Sequence, residues 1–102
     1  MPYSAKISEV TAAELAEFCR IDDPEEEDMN HIERAMTMAR AFIRSVTGLD
    51  DGAIDEHEDI TWAYMILVRD NYDNRSLQEN SAMKMNRTVS IILDQYNDHL
   101  LR

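Results

Sequence analysis

The chain is short of the residues that build turns, disulfides and zinc clusters. Its 102 residues include two glycines, two prolines and one cysteine, Cys19. Because tight turns rely on glycine and proline, this composition favours a few long helices over a β-sandwich. A single cysteine excludes an intrachain disulfide and the zinc clusters built from several cysteines. We therefore expect an all-α domain from a reducing, intracellular environment.

Positive charge is also scarce. Ten lysines and arginines stand against 21 acidic residues, which gives a formal net charge of −11. Phosphate backbones and anionic membrane surfaces repel such a protein, so we expect no specific binding of nucleic acid. The N-terminal sequence MPYSAKISEV lacks the basic and apolar regions of a signal peptide. The apolar run at 60–68 is too short to span a bilayer, so no membrane partner is expected.

The first helix has two start signals. Thr11 and Glu14 have the spacing of a capping box, in which each side chain bonds the backbone of the other. Val10 and Leu15 have the spacing of a hydrophobic staple, which packs the residue before the cap against the first turn. Together they predict a short helix over about 11–20.

A longer second helix follows an acidic run. Asp23 is the predicted cap, Pro24 the first helical residue, and Glu26 the partner in a second capping box. Apolar residues then recur every three or four positions, which indicates one buried stripe, and Gly48 ends the helix. The stripe consists of Met29, Ile32, Met36, Ala39, Ile43 and Val46.

The second half of the chain contains the most apolar stretch. An acidic connection at 49–58 leads to a helix over about 56–73, which is apolar on most faces and is therefore predicted to be central, with Ile66 and Leu67 buried. Residues 76–85 show no period and are predicted to form a long loop. A last helix is predicted over about 86–100.

The predicted fold is therefore all-α. We expect a small bundle of about four helices, one short and three longer, with a long loop before the last helix. Residues 1–102 form a single domain in this interpretation, and residues 1–9 are expected to be flexible.

The acidic connection resembles the second half of a calcium-binding EF-hand loop. Gly52 would be the turn glycine of that loop. Three carboxylates fall at ligand positions: Asp51, Asp55 and Glu58. The first and third ligand positions would be Thr47 and Leu49, and leucine cannot coordinate calcium. We therefore expect an acidic turn with no metal.

Signals for catalysis are equally weak. Cys19 has no neighbouring base in the sequence, so a buried structural thiol is the favoured interpretation. The sequence also lacks a glycine-rich phosphate loop. We expect no cofactor and no enzymatic activity.

An ordered set of elements runs along most of the chain. It begins with a capped short helix at 11–15. Residues 20–28 follow, with an arginine and a hydrophobic residue leading into an acidic run, and then an amphipathic helix that ends in Thr47-Gly48. An apolar helix then ends in a Tyr-x-x-Arg-like element at 72–75. This order resembles the head–tail connector proteins, the head-completion adaptors of long-tailed phages and prophages. Residues 85–88 lack the proline or glycine that members of that family often have before the last helix.

The resemblance implies a structural role in a virion. Such proteins are small and α-helical, and they form a ring of about a dozen copies of themselves. The ring docks on the portal protein at the capsid vertex and meets a tail-side completion protein, with DNA passing through its channel. The chain would then be made in the cytoplasm of a bacterial host and reside in the virion.

The end of the core helix and the predicted loop supply a candidate assembly interface. Apolar side chains on a polar loop gain little in a monomer, whereas a neighbouring subunit or the portal can bury them. Nearby basic residues could pair with acidic segments at 22–28 and 50–59 of a neighbour. The predicted interface residues are Tyr72, Asn74, Arg75, Leu77, Met83, Lys84, Met85 and Arg87.

Alternatives remain for individual residues and for the whole chain. Arg75 could instead contact the carbonyls at a helix end, and Tyr72 could pack at the end of the core helix. The chain could be a small acidic intracellular adaptor or regulator that binds one protein partner. A calcium-modulated helix pair is a third and weaker hypothesis. A monomeric regulator would more simply have a short turn in place of 76–85.

Overall fold

The computed structural model of the chain describes residues 6–73 and 86–96. Five α-helices, and no β-strand, lie within these residues, which confirms the predicted all-α bundle. The helices are Ala12–Phe18 (α1), Glu26–Thr47 (α2), Asp51–Asp55 (α3), Glu58–Asp73 (α4) and Arg87–Asp94 (α5). The predicted loop at 76–85 lies outside the described residues.

Helix α1 begins with the predicted capping box. The Glu14 backbone N–H donates to Thr11 Oγ1 over 3.1 Å, and the Thr11 backbone N–H donates to Glu14 Oε1 over 3.2 Å. Val10 and Leu15 are both buried, as a hydrophobic staple requires. The local signals therefore placed the start of α1 correctly.

The predicted start of α2 was wrong. The helix begins at Glu26 with Glu25 as its N-cap, and the Glu25 N–H donates to Asp28 Oδ2 over 3.0 Å. Asp23 has a φ of 54°, in the left-handed region, whereas an N-cap residue needs an extended backbone. The chain therefore turns at Asp23, and Pro24 lies before the helix.

The apolar stripe and the end of α2 agree with the sequence. Gly48 has a φ of 73°, and its N–H donates to the Arg44 carbonyl over 2.8 Å, which closes the helix in the left-handed conformation that glycine adopts readily. Of the six stripe residues, four are buried and two partly buried: Ile32, Met36, Ala39 and Ile43, then Met29 and Val46.

The acidic connection contains a helix that the pattern did not predict. Asp50 caps α3 because its Oδ1 accepts from the Ala53 N–H over 2.8 Å. The buried side chain of Ile54 attaches this short helix to the core. Five residues are too few for an apolar period to be recognised.

Helix α4 is the centre of the fold. Ten of its 16 residues are buried, and it contacts all four other helices. Ile66 and Leu67 are both buried, as predicted. A helix surrounded on most sides needs no polar face, which explains the nearly continuous apolar run.

Helix α5 packs on α4 and α2 through two buried residues, Val89 and Leu93. Asn86 is its N-cap, and Asn86 Oδ1 accepts from the Val89 N–H over 2.9 Å. The helix ends at Asp94, so it covers the first part of the range predicted at 86–100. Residues 97–102 lie outside the described residues.

Two carboxylates of α4 hold the ends of this last helix. Asn86 Nδ2 donates to Asp70 Oδ2 over 2.7 Å, near the end of α4. At the other end the Tyr96 hydroxyl donates to the Asp59 carboxylate over 2.7 Å, and the His57 ring lies 4.7 Å from the Tyr96 ring. Helices α4 and α5 therefore run antiparallel.

Part of the segment that was expected to be flexible, residues 1–9, makes defined contacts. A 3-10 turn, Ile7–Glu9, precedes α1, and Ile7 is buried. The Ser8 N–H and hydroxyl donate to the two Asp55 oxygens over 3.1 and 2.5 Å. This turn is therefore attached to α3.

Candidate interaction surface

Helix α4 presents one line of side chains to solvent. Glu58, Trp62 and Asp73 are exposed and Arg69 is partly exposed, at spacings of four, seven and four residues. These spacings place all four on one face of a helix. Trp62 is 41% exposed, whereas tryptophan is usually largely buried in folded proteins.

Phe18, at the end of α1, is partly buried and lies beside this exposed line. Its ring meets the Trp62 ring edge-to-face, with 5.4 Å between ring centres and 76° between planes. The Arg69 guanidinium carbon lies 5.0 Å from the centre of the Phe18 ring, as in a cation–π contact. We call Phe18, Trp62 and Arg69 the aromatic surface. Its side chains hold one another in place, which reduces the ordering that binding would require.

Charged groups and a thiol border the aromatic surface. Arg69 Nε lies 3.8 Å from Asp70 Oδ1, so the guanidinium has a carboxylate neighbour. Burial raises the pKa of Cys19 to about 11, with Asp73 and Asp70 adding to the shift and Arg69 opposing it. A thiol with this pKa is protonated at neutral pH and reacts slowly as a nucleophile. The surface is therefore better suited to binding than to covalent chemistry.

The structure describes two of the eight predicted interface residues. Tyr72 is 9% exposed, and its hydroxyl donates to Asp28 Oδ1 over 2.9 Å, which joins the end of α4 to the start of α2. Arg87 is the exposed first residue of α5. The others lie outside the described residues, and their role stays a prediction: Asn74, Arg75, Leu77, Met83, Lys84 and Met85.

The acidic connection uses its carboxylates separately. Asp51 Oδ1 accepts from Arg44 Nη1 over 2.9 Å, Asp55 accepts from Ser8, and Glu58 lies on the exposed line of α4. Among the described residues, no three histidine, cysteine or carboxylate side chains come together as metal ligands would. Asp51 and Asp55 therefore contact residues outside this connection.

The sequence contained a signal for Trp62 that the surrounding apolar run concealed. The apolar run at 60–68 suggested burial on most faces, and Trp62 lies within that run. Its spacing from three charged residues, Glu58, Arg69 and Asp73, would have placed it on the solvent line. The contact with Phe18 could not be anticipated, because it joins two helices.

Comparison with models of protein families, with curated proteins and with solved structures finds no match for this chain. Within the part of the chain that the structure describes, no helix is long and apolar enough to cross a membrane.

Proposed function

We propose that the chain is a structural subunit that binds other protein chains through the aromatic surface. The exposure of Trp62 on a mostly buried helix carries this proposal. Tryptophan and arginine are the residue types that most often dominate the binding energy of protein interfaces. Contacts with Phe18 hold both side chains in position before any partner arrives.

The partners we propose are copies of the chain itself, a portal protein and a tail-side completion protein. This part of the proposal rests on the resemblance to head–tail connector proteins, which implies a ring of about a dozen subunits at the capsid vertex of a virion. In its favour, three elements of the resemblance have defined structural roles here. Thr11 caps α1, Gly48 closes α2, and Tyr72 joins the end of α4 to α2.

The charge distribution is compatible with a ring. A closed ring requires two different faces of each subunit to meet, and complementary charge helps to orient them. The acidic segment at 22–27 is exposed before and at the start of α2, whereas Arg69 lies on α4 and Arg87 on α5. An acidic channel wall would also repel DNA and let it slide.

The alternative is an acidic adaptor that binds one protein partner. The aromatic surface by itself favours this function as well, because one such surface needs one partner. The state of the wild-type chain separates the two: self-association supports the ring, and a monomer at every concentration supports the adaptor.

Sedimentation velocity of the full chain over a wide range of concentrations tests the proposed surface. Trp62→Ala should weaken association by about tenfold or more, because the substitution removes a central anchor. Met38→Ala is the matched control, since Met38 is 45% exposed on α2 and should leave association unchanged. Circular dichroism should show the same fold for both variants. Undiminished association of folded Trp62→Ala would contradict the proposal.

A further inference from the structure

A cavity of about 270 Å³ lies between the N-terminal 3-10 turn, α2 and α3. Its size is close to the lower end of the range for small-molecule pockets. Two isoleucines supply its apolar wall, and the remaining lining residues are polar or charged. The lining residues are Ile7, Ser8, Arg40, Asp51, Ile54 and Asp55.

Arg40 brings positive charge to the cavity and has no carboxylate partner among residues 6–73 and 86–96. Its Nη1 donates to the hydroxyl of Tyr64 over 3.2 Å, and Tyr64 is 0% exposed. Among the described residues, no carboxylate oxygen lies within 4.0 Å of the Arg40 guanidinium. A guanidinium has five N–H donors in a planar fork that fits a carboxylate. A hydrogen bond to a buried tyrosine therefore fixes this guanidinium, and the other described residues leave most of its N–H donors available.

Negative charge reaches the cavity from α3. Asp51 is already paired with Arg44 over 2.9 Å. Asp55 accepts two hydrogen bonds from Ser8, and these hold the pKa of Asp55 below its usual range. A carboxylate can accept about four hydrogen bonds, so Asp55 retains acceptor capacity for a cationic group.

We propose that this cavity binds a small aliphatic α-amino acid. Its carboxylate binds Arg40, its ammonium group binds Asp55, and its side chain contacts Ile7 and Ile54. Asp55 repels a simple anion, and Arg40 repels a simple cation, so a ligand with both charges fits best. The cavity volume admits one such molecule. This inference does not depend on the proposed assembly function.

Three matched probes test the charge requirement by NMR titration of the full chain. L-Valine carries both charged groups, isovalerate lacks the ammonium group, and isobutylamine lacks the carboxylate. Valine should shift the Ser8 and Ile54 amide resonances in a saturable way, and each of the other two should bind at least about tenfold more weakly. Absence of a saturable shift with valine would overturn the proposal. Isovalerate binding equal to that of valine would do the same, because it would show that Asp55 takes no part.

Two variants test the residues. Arg40→Gln and Asp55→Asn should each weaken valine binding by about tenfold or more, because each leaves one ligand charge without its partner. Arg34→Gln is the matched control, since Arg34 is exposed on the same helix as Arg40 and does not line the cavity. Melting temperatures show whether each variant is folded. Normal valine binding by folded Arg40→Gln would exclude this site. Arg40→Lys keeps the positive charge but loses the planar set of N–H donors, so it should bind valine with intermediate affinity.

Discussion

Leu67→Ala tests the central position of α4. Leu67 is 0% exposed, on a helix that contacts the four other helices of the described residues. The substitution removes buried carbon atoms and leaves a cavity that close-packed neighbours can fill only in part. Such changes typically cost about 2–5 kcal/mol of unfolding free energy. A domain of this size has about 5–15 kcal/mol in total, so the variant should lose a large share of its stability.

Urea unfolding followed by circular dichroism measures this loss. In a thermal scan, the melting temperature should fall by about 8–40 °C, because a domain of this length loses about 4–8 °C per kcal/mol. Ile91→Ala is the control, because Ile91 is 57% exposed on α5 and should change stability by about 0.5 kcal/mol or less. A loss below about 0.5 kcal/mol for Leu67→Ala would refute the central placement of α4.

Three further predictions concern backbone conformation, a helix junction and pH. Gly48→Ala should lower the free energy of unfolding by about 1 kcal/mol, because Gly48 has a left-handed backbone. Gly52→Ala in α3 meets no crowding and should raise the free energy of unfolding by about 0.5 kcal/mol. Urea unfolding measures both changes. Tyr72→Phe should lower the free energy of unfolding by about 1–2 kcal/mol in the same assay, since it removes the hydrogen bond to Asp28. Unchanged stability would show that this contact between α4 and α2 is unimportant. Burial raises the pKa of Tyr96 from 10.0 to about 12, and the Asp59 carboxylate adds to the shift. The folded state therefore holds the Tyr96 proton more tightly than the unfolded chain does. The stability that this protonated hydroxyl contributes is complete below about pH 10 and is lost towards pH 12. Ultraviolet titration should show both Tyr96 and Tyr64 ionising late, because burial raises the pKa of Tyr64 as well.

Short-range signals predicted much of the fold because their physics is local. The capping box of α1 needs two side chains three residues apart, and the glycine at the end of α2 needs one backbone conformation. The prediction of where α2 starts failed because several residues of one acidic run can each act as an N-cap. Only the left-handed turn at Asp23 decides among them.

The candidate sites depend on contacts between distant parts of the chain. Trp62 becomes notable through its contact with Phe18, 44 residues away in sequence. The cavity beside Arg40 needs the 3-10 turn, α2 and α3 to meet, and α3 itself is too short to show a period. Sequence patterns describe the faces of single elements, so they cannot report which faces meet.

Native mass spectrometry of the wild-type chain at high concentration tests the central claim most directly. The proposed ring predicts one closed species of about a dozen subunits of 11.8 kDa, near 140 kDa, which dissociates to monomer when Trp62 is replaced by alanine. A closed ring should stop growing at this size as concentration rises. A monomer at every concentration, or a ladder of species that lengthens without limit, would contradict it.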